Sequence, residues 1–492
     1  MLKSRLLRAL IPSLLVSSLP VAAQPTLKAP YGCAQVWDGW TYQGHNDLDS
    51  LDFALWKDRT QKSDPQNQNI SYGQFVMASG AGVVTKDDLI PDDEWGLVRR
   101  INIKHDDSWS TVYLHTIIEP EPLAVGRKVA AGEVIAMAGR SGTDPDGWHI
   151  HYSQKQGEEI VPARFDGVTI QTPFQAQQIV SSNCTARSFA RWRDGGETYI
   201  FRYHPENGQA RITRMADGNG AAVHTWTSQE GAWGKSFTDF LPYKVNGIPH
   251  LLRYNARNGR ATFYRVETNG SGLQRLADTF HWRPGWTLLR QVRHENLNFV
   301  IAYDSRTGYR QFLQLAPDDS SAAVDDSVHD IKGWTHILGF DRGDNQYLLF
   351  YKASTGRTLI RRMDRVVLLN KQGRPTNRIR IELVDVFDGF RNPNWTHLQL
   401  ARQDGELYMV GYRASNGRAA IWHLGNPADG PQNTARFTLG GHWDIVTSLP
   451  MDQGPQIFFY GVDAGNAKLF SVQAGGSGLS AQATMNWVGG WR

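Results

Sequence analysis

The chain runs to 492 residues, with a formal charge of +4, 11% aromatic side chains and two cysteines. That length is too great for one ordinary hydrophobic core, so a single small domain is excluded and two or three domains are expected. Past the first two dozen residues no apolar run approaches the ~20 residues of a spanning helix, so no membrane span is expected.

Residues 1–23 read as a secretory signal. Lys3, Arg5 and Arg8 make a basic start, Leu10 to Val21 is apolar, and Val21-Ala22-Ala23 is a small-residue cleavage site. Removing this stretch leaves a charge of about +1, unevenly spread. Residues 24–187 carry 14 Lys/Arg against 21 Asp/Glu, and residues 188–492 carry 35 against 27. The asymmetry points to separate jobs, with an anionic partner for the second half. Cys33 and Cys184 bracket the first half, and in an exported protein an even count points to a disulfide.

Between residues 24 and 187 short alternating segments are separated by Gly, Asp and Pro. Phe75 to Ala78, Gly82 to Thr85, Val98 to Ile103, Thr111 to His115 and Glu133 to Met137 are expected strands of an antiparallel β domain with a groove on one face. In Ser50 to Leu55, Leu51, Phe53 and Leu55 share the core face, so Asp52 projects from the other. Asp49 is the competing acid, at the spacing His-x-x-x-Asp from His45. Along Thr111 to His115 the expected buried face is Val112 and Leu114, with Tyr113 and His115 on the polar side. The glycine-punctuated run Val125 to Gly139 reads as scaffold. The acidic stretch Asp87 to Glu94 has no functional reading.

The centre of this half is Trp148-His149-Ile150-His151-Tyr152. Residues two apart on a strand point the same way, so both imidazoles would enter one groove. A catalytic zinc needs three protein ligands and one open position. His45, Asp52 and His151 would supply the ligands, and the zinc-bound water would be the nucleophile. His115 and His149 would take or return its proton. No His-Glu-x-x-His, Gly-x-Ser-x-Gly or Cys-x-x-Cys motif is present, which leaves serine and thiol hydrolases little support.

The order His45, Ser-Leu-Asp52-Phe, Ala78-x-x-Ala-Gly-x-Val, Val112-Tyr113-x-His115, Val125-Gly126-x-x-Val, Gly-x-x-Ile-Ala-x-x-Gly139 and His149-Ile-His151-Tyr resembles the lysostaphin-type zinc metallopeptidases, which include the β-lytic enzymes. The resemblance spans about residues 40 to 165. It implies a glycylglycine-type endopeptidase acting on bacterial wall cross-links. By family role His45, Asp52 and His151 match the zinc ligands, and His115 and His149 the catalytic pair. Many members place the acid four residues after the first His with a Gly between, where this chain has Asp49 and Asp47. Others carry a longer insertion ending in Leu-Asp-Phe, which this chain resembles more.

From residue 188 onward the pattern Tyr-x-x-x-x-Gly occurs six times, beginning at Tyr203, Tyr254, Tyr303, Tyr351, Tyr412 and Tyr460. Seventeen residues before the last five stand Phe237, Trp286, Trp334, Trp395 and Trp443. A period near 50 with four short strands per unit is the signature of a propeller blade, and lectin-type propellers share it. Asn370 to Arg378 is read as a loop insertion in the longest unit. The unpaired aromatic Trp491 suggests a C-terminal strand completing the first blade. The repeated aromatics are read first as packing between blades, and alternatively as faces for sugars.

The expectation is thus all-β: a zinc metallopeptidase domain at 24–180, a linker at 181–187 and a six-bladed β-propeller at 188–492. The substrate would be cell-wall peptidoglycan or a glycine-rich protein, with a glycan or anionic polymer on the propeller. A monomer is expected, secreted to the outside or to a periplasm, without a nucleic-acid partner. The alternatives are a wall- or glycan-binding protein with a degenerate peptidase half, and an adhesion protein whose zinc does no chemistry.

Overall fold

The structure is a computed structural model that describes residues 24–486 apart from short internal stretches, among them 33–34, 43–46, 57–68, 144–146, 184–189 and 370–374. It is all-β apart from short 3₁₀ turns, and among the described residues no helix is long and apolar enough to cross a membrane. Thirteen strands precede residue 181: β1 (Val36–Trp40), β2 (Leu51–Ala54), β3 (Phe75–Met77), β4 (Gly82–Asp92), β5 (Gly96–Lys104), β6 (Trp109–Leu114), β7 (Lys128–Val129), β8 (Val134–Met137), β9 (Ile150–Gln156), β10 (Glu159–Val161), β11 (Arg164–Phe165), β12 (Val168–Thr169) and β13 (Gln177–Val180). The main sheet runs β13-β1-β2-β9-β6-β5-β4-β7, antiparallel throughout, with β10 on the edge of β9. The strands β3 and β8 form a second small sheet, and β11 and β12 pair with each other.

Two adjacent rows across the main sheet explain what faces where. Leu51 lies opposite Tyr152, Tyr152 opposite Tyr113, and Tyr113 opposite Ile101. All four are sealed in the core with Trp37, Phe53 and Ile150. Each such side chain is worth about 1.5–3 kcal/mol on burial. A one-residue slip would expose the whole row, so this core fixes the register. The next row, forced to the opposite face, reads Asp52, His151, Leu114, Arg100 and Asp88.

The expected parity of Leu51, Phe53 and Leu55 holds, but that of the Thr111 to His115 segment is reversed. Tyr113 is fully buried while Val112 and Leu114 are half-buried. The tyrosine tolerates the core because its hydroxyl is satisfied there, accepting from the Ser79 amide at 2.8 Å and the Thr111 hydroxyl at 3.1 Å. His115 then escapes the strand's alternation altogether: β6 ends at Leu114, and His115 has φ +63°. The acidic stretch also has a structural account. On the long β4–β5 hairpin Asp87 pairs with Arg99 in the interior and Asp88 pairs with Arg100 on the groove face.

Six further sheets, each at least four-stranded, follow at 190–227, 239–281, 288–329, 336–390, 397–438 and 445–486. The innermost strands abut in ring order, and the first blade packs on the sixth through Ile200 and Met215 against Leu449 and Phe458, with the Thr198 hydroxyl donating to the Pro450 carbonyl. This is a closed six-bladed propeller. The first blade draws its four strands from 190–227, and Trp491 lies outside the described residues. Of the expected 370–378 loop, residues 375–378 are strand: Arg357–Leu369 and Pro375–Phe390 pair as one long hairpin, and residues 370–374 lie outside those described.

The repeat has a physical basis. In every unit the glycine amide donates to the carbonyl four residues back, as Gly259 does to Asn255 at 2.9 Å, and the glycine has φ between +65° and +76°. Beyond that left-handed backbone, a Cβ on Gly259 would stand 2.0 Å from the Trp282 carbonyl oxygen, so no larger residue fits. In the first three blades the tyrosine hydroxyl ties down the segment that leads to the next blade: Tyr203 donates to Gly234 O at 2.6 Å, Tyr254 to Arg283 O at 2.7 Å and Tyr303 to Ile331 O at 2.7 Å. Phe237, Trp286, Trp334, Trp395 and Trp443 are all buried among the blades, which settles them as packing residues rather than sugar platforms.

Candidate active site

Pairing of β2 with β9 puts Asp52 directly opposite His151 on the groove face. The Asp52 Oδ1 lies 3.1 Å from His151 Nδ1 and 3.5 Å from His149 Nε2. His115 arrives from the far side of the same pocket, its ring 4.7 Å from that of His149 and 5.9 Å from that of His151. Four of the five expected site residues therefore converge. His45 lies outside the described residues. Asp49 sits in a turn before β2, where its amide is bound by Asp47 Oδ1 at 3.0 Å, and it has no place in the row that carries Asp52.

Hydrogen bonds to carbonyls decide the histidine tautomers, because a carbonyl oxygen only accepts. His115 Nδ1 lies 2.8 Å from Ser141 O and His149 Nδ1 lies 2.6 Å from Gly147 O. Both rings thus carry their hydrogen on Nδ1 and present Nε2 as a proton acceptor. Burial, then the neighbouring His149, pushes the His115 pKa down to about 3, so that ring is neutral at physiological pH. His151 behaves differently. Its Nε2 lies 3.4 Å from the Ser153 hydroxyl, itself 2.7 Å from that of Ser50. The buried serine pair steadies the ring while Nδ1 faces the carboxylate.

The positions of His115 and His149 depend on close backbone approach. Thr116 bridges to Ala138 and His149 to Gly139, and a Cβ on Gly139 would meet the Ile117 nitrogen at 2.6 Å. The buried Arg99 braces the same corner, donating through Nη1 to Ile117 O at 2.7 Å and through its backbone amide to the Ser141 hydroxyl at 3.0 Å. Two features were not singled out from the sequence. Tyr42 stands near enough to Asp52 for that charge, after burial, to raise its phenol's pKa. Tyr72 and Trp148 meet with tilted rings, their centroids 5.6 Å apart, and the Trp148 carbonyl is held by Asn69.

Donor chemistry here suits zinc: one carboxylate oxygen and one imidazole nitrogen at 3.1 Å, close to the ~3.3 Å that separates two ligands of a tetrahedral ion. Among the described residues no three His, Cys, Asp or Glu side chains are arranged to hold a metal, so a third ligand has to come from elsewhere. Residues 66–162 match Peptidase family M23. That M23 segment contains His115, His149 and His151, while His45 and Asp52 precede it. It supports a peptidase and agrees with the resemblance seen in the sequence. A search of curated proteins gave no match.

Solved structures similar to the chain include the periplasmic gluconolactonase PpgL of Pseudomonas aeruginosa, 12% identical over 70% of this chain and 94% of that one, TM-score 0.41. Saccharomyces cerevisiae Sqt1 is 10% identical over 62% and 87%, TM-score 0.37. A GH43_1 enzyme from Xanthomonas citri is 10% identical over 60% and 90%, TM-score 0.29.

Proposed function

We propose that the protein is a secreted zinc endopeptidase that hydrolyses peptide bonds in peptidoglycan cross-links or in glycine-rich proteins. The observation that carries this reading is the meeting of Asp52 with His115, His149 and His151, the three histidines lying in the segment that matches Peptidase family M23. His45, Asp52 and His151 would hold the ion. When bound, zinc supplies a Lewis acid that makes water a nucleophile near neutral pH and polarises a peptide carbonyl.

The chain's own groups do the rest. His149 Nε2, nearest the Asp52 carboxylate, accepts the proton released by the attacking water. His149 then passes that proton to the leaving amine, and His115, neutral at rest with Nε2 unprotonated, donates to the carbonyl oxygen only once it has taken up a proton as negative charge develops there. Tyr72 and Trp148 offer an apolar wall for an extended peptide. The second half, with its surplus of 35 Lys/Arg over 27 Asp/Glu, holds the enzyme at an anionic or glycan surface and raises the local substrate concentration.

The test is release of free amino groups from purified bacterial walls and from a pentaglycine peptide. His149→Ala and Asp52→Asn should each lower turnover by ~10²–10⁴, while Asp49→Asn leaves it within about threefold, less than the ~1 kcal/mol of one ordinary hydrogen bond. A wild-type protein that binds walls but cuts neither substrate would replace this reading with that of a binding protein.

A further inference from the structure

The axial cavity of the propeller encloses about 1230 Å³ and is a site the peptidase chemistry does not use. One ring of lining positions takes a residue from each blade at the same register, three places after the position that faces the repeated tyrosine: Arg191, Pro242, Gln291, Gly339, Leu400 and Ser448. Arg191 is the charged member of that ring. Its guanidinium has no ion pair or hydrogen bond among the described residues, and Arg290 lies beside it. Arg191 keeps some accessible surface although protein surrounds it, because that surface faces the cavity. An unneutralised cation in such a place is costly to the fold and is retained where something anionic offsets it.

Charge in the cavity is segregated. Two residues further along the innermost strands come Arg193, Lys244 and Arg293, contributed by three consecutive blades. The carboxylates Asp239 and Asp444 lie at the other end, where these strands begin, and Asp239 is already bound by the Thr238 hydroxyl at 2.8 Å. Glu133, the remaining acid, is paired with Arg127. Burial, then the neighbouring Arg290, holds the Arg191 pKa down to about 10, as expected for a cation without a counter-ion.

We propose that the cation-lined end of this cavity binds an oxyanion, a phosphate or carboxylate group, with Arg191 as its principal ligand. A guanidinium presents paired N–H donors that match the two oxygens of such a group. The site stands independently of the peptidase reading, since no residue of the metal pocket lines the cavity.

Thermal unfolding of the full chain in sodium phosphate and in sodium acetate, each against chloride at equal ionic strength, tests it. Wild type should show a saturable rise of about 2–4 °C with at least one of the two anions. Arg191→Leu and Arg191→Gln import residues that sister blades carry at this position, so the ring should still close. Both should melt at or above the wild type in chloride and lose the anion response. The exposed Arg265→Gln should keep it. A response to phosphate alone, or to both anions, supports the site and names the class. No response in wild type, or an equal response in either Arg191 variant, overturns it. Should both Arg191 variants fail to fold, calorimetric titration of phosphate into wild type and Arg290→Gln decides, and equal heats overturn it.

Discussion

Replacing Arg99 by methionine tests whether the interior ion pair holds up the catalytic corner. Arg99 donates to both carboxylate oxygens of Asp87, at 2.9 and 2.7 Å, and to Ile117 O at 2.7 Å. Both side chains are almost wholly buried, and Asp87 accepts one further bond, from the Leu123 amide at 2.6 Å. Arg99→Met leaves that carboxylate buried with a single backbone donor, which costs about 3–5 kcal/mol. Arg99→Met combined with Asp87→Leu removes both charges and strands only the Ile117 carbonyl and the Leu123 amide, about 2–4 kcal/mol together. The double variant should therefore fall well short of the sum of the singles. Urea unfolding of the three variants measures this. Because Ile117 follows the His115 turn, Arg99→Met should also lower kcat on wall peptide more than it changes KM. A single variant costing under about 1 kcal/mol, or strict additivity in the double, would refute the reasoning.

Further outcomes are expected from the propeller. Gly259→Ala should destabilise it well beyond the ~1–2 kcal/mol of a left-handed alanine, because the Trp282 carbonyl stands in the way, whereas Gly247→Ala, at φ +81° with open space around it, should stay within that range in thermal melts. Trp334→Ala removes a fully buried ring and should cost about 3–5 kcal/mol by the same assay. Burial holds His336 neutral with a pKa near about 3 and His397 near about 4, below the ~6.5 of an unfolded histidine. The unfolded chain then binds more protons between those values, so stability is whole above about pH 6.5 and drains away as the pH falls toward 4. The double variant His336→Gln, His397→Gln should melt with a visibly flatter pH dependence, and an unchanged slope would count against buried neutral rings.

Periodicity made the larger architecture legible. The tyrosine–glycine spacing marks a place where a left-handed turn meets a carbonyl of its own blade, so the repeat announces a physical necessity and through it the blades. Asp52 was readable because Leu51, Phe53 and Leu55 are unambiguously apolar. Tyr113 was not: its hydroxyl finds partners from Ser79 and Thr111 that no local pattern reveals, and the face was assigned the wrong way round. His115 reaches the pocket through a positive φ after the strand, which alternation cannot foresee. Asp87 had no reading in the sequence, because only the β4–β5 hairpin brings Arg99 beside it. The expected Cys33–Cys184 bridge falls on residues outside those described, although Ser181 and Asn183 bind the carbonyls of Tyr31 and Ala29 on the neighbouring segment. Arg191 was hidden because its oddity shows only against five sister positions, once the blades are in register.

Zinc content of the purified mature protein bears most directly on the account. Elemental analysis after purification without chelator should find about one zinc per chain in wild type and far less in His151→Ala, with the far-ultraviolet spectrum unchanged. Wild type that stays free of zinc when the metal is supplied, or a His151→Ala variant that keeps its full complement, would contradict it.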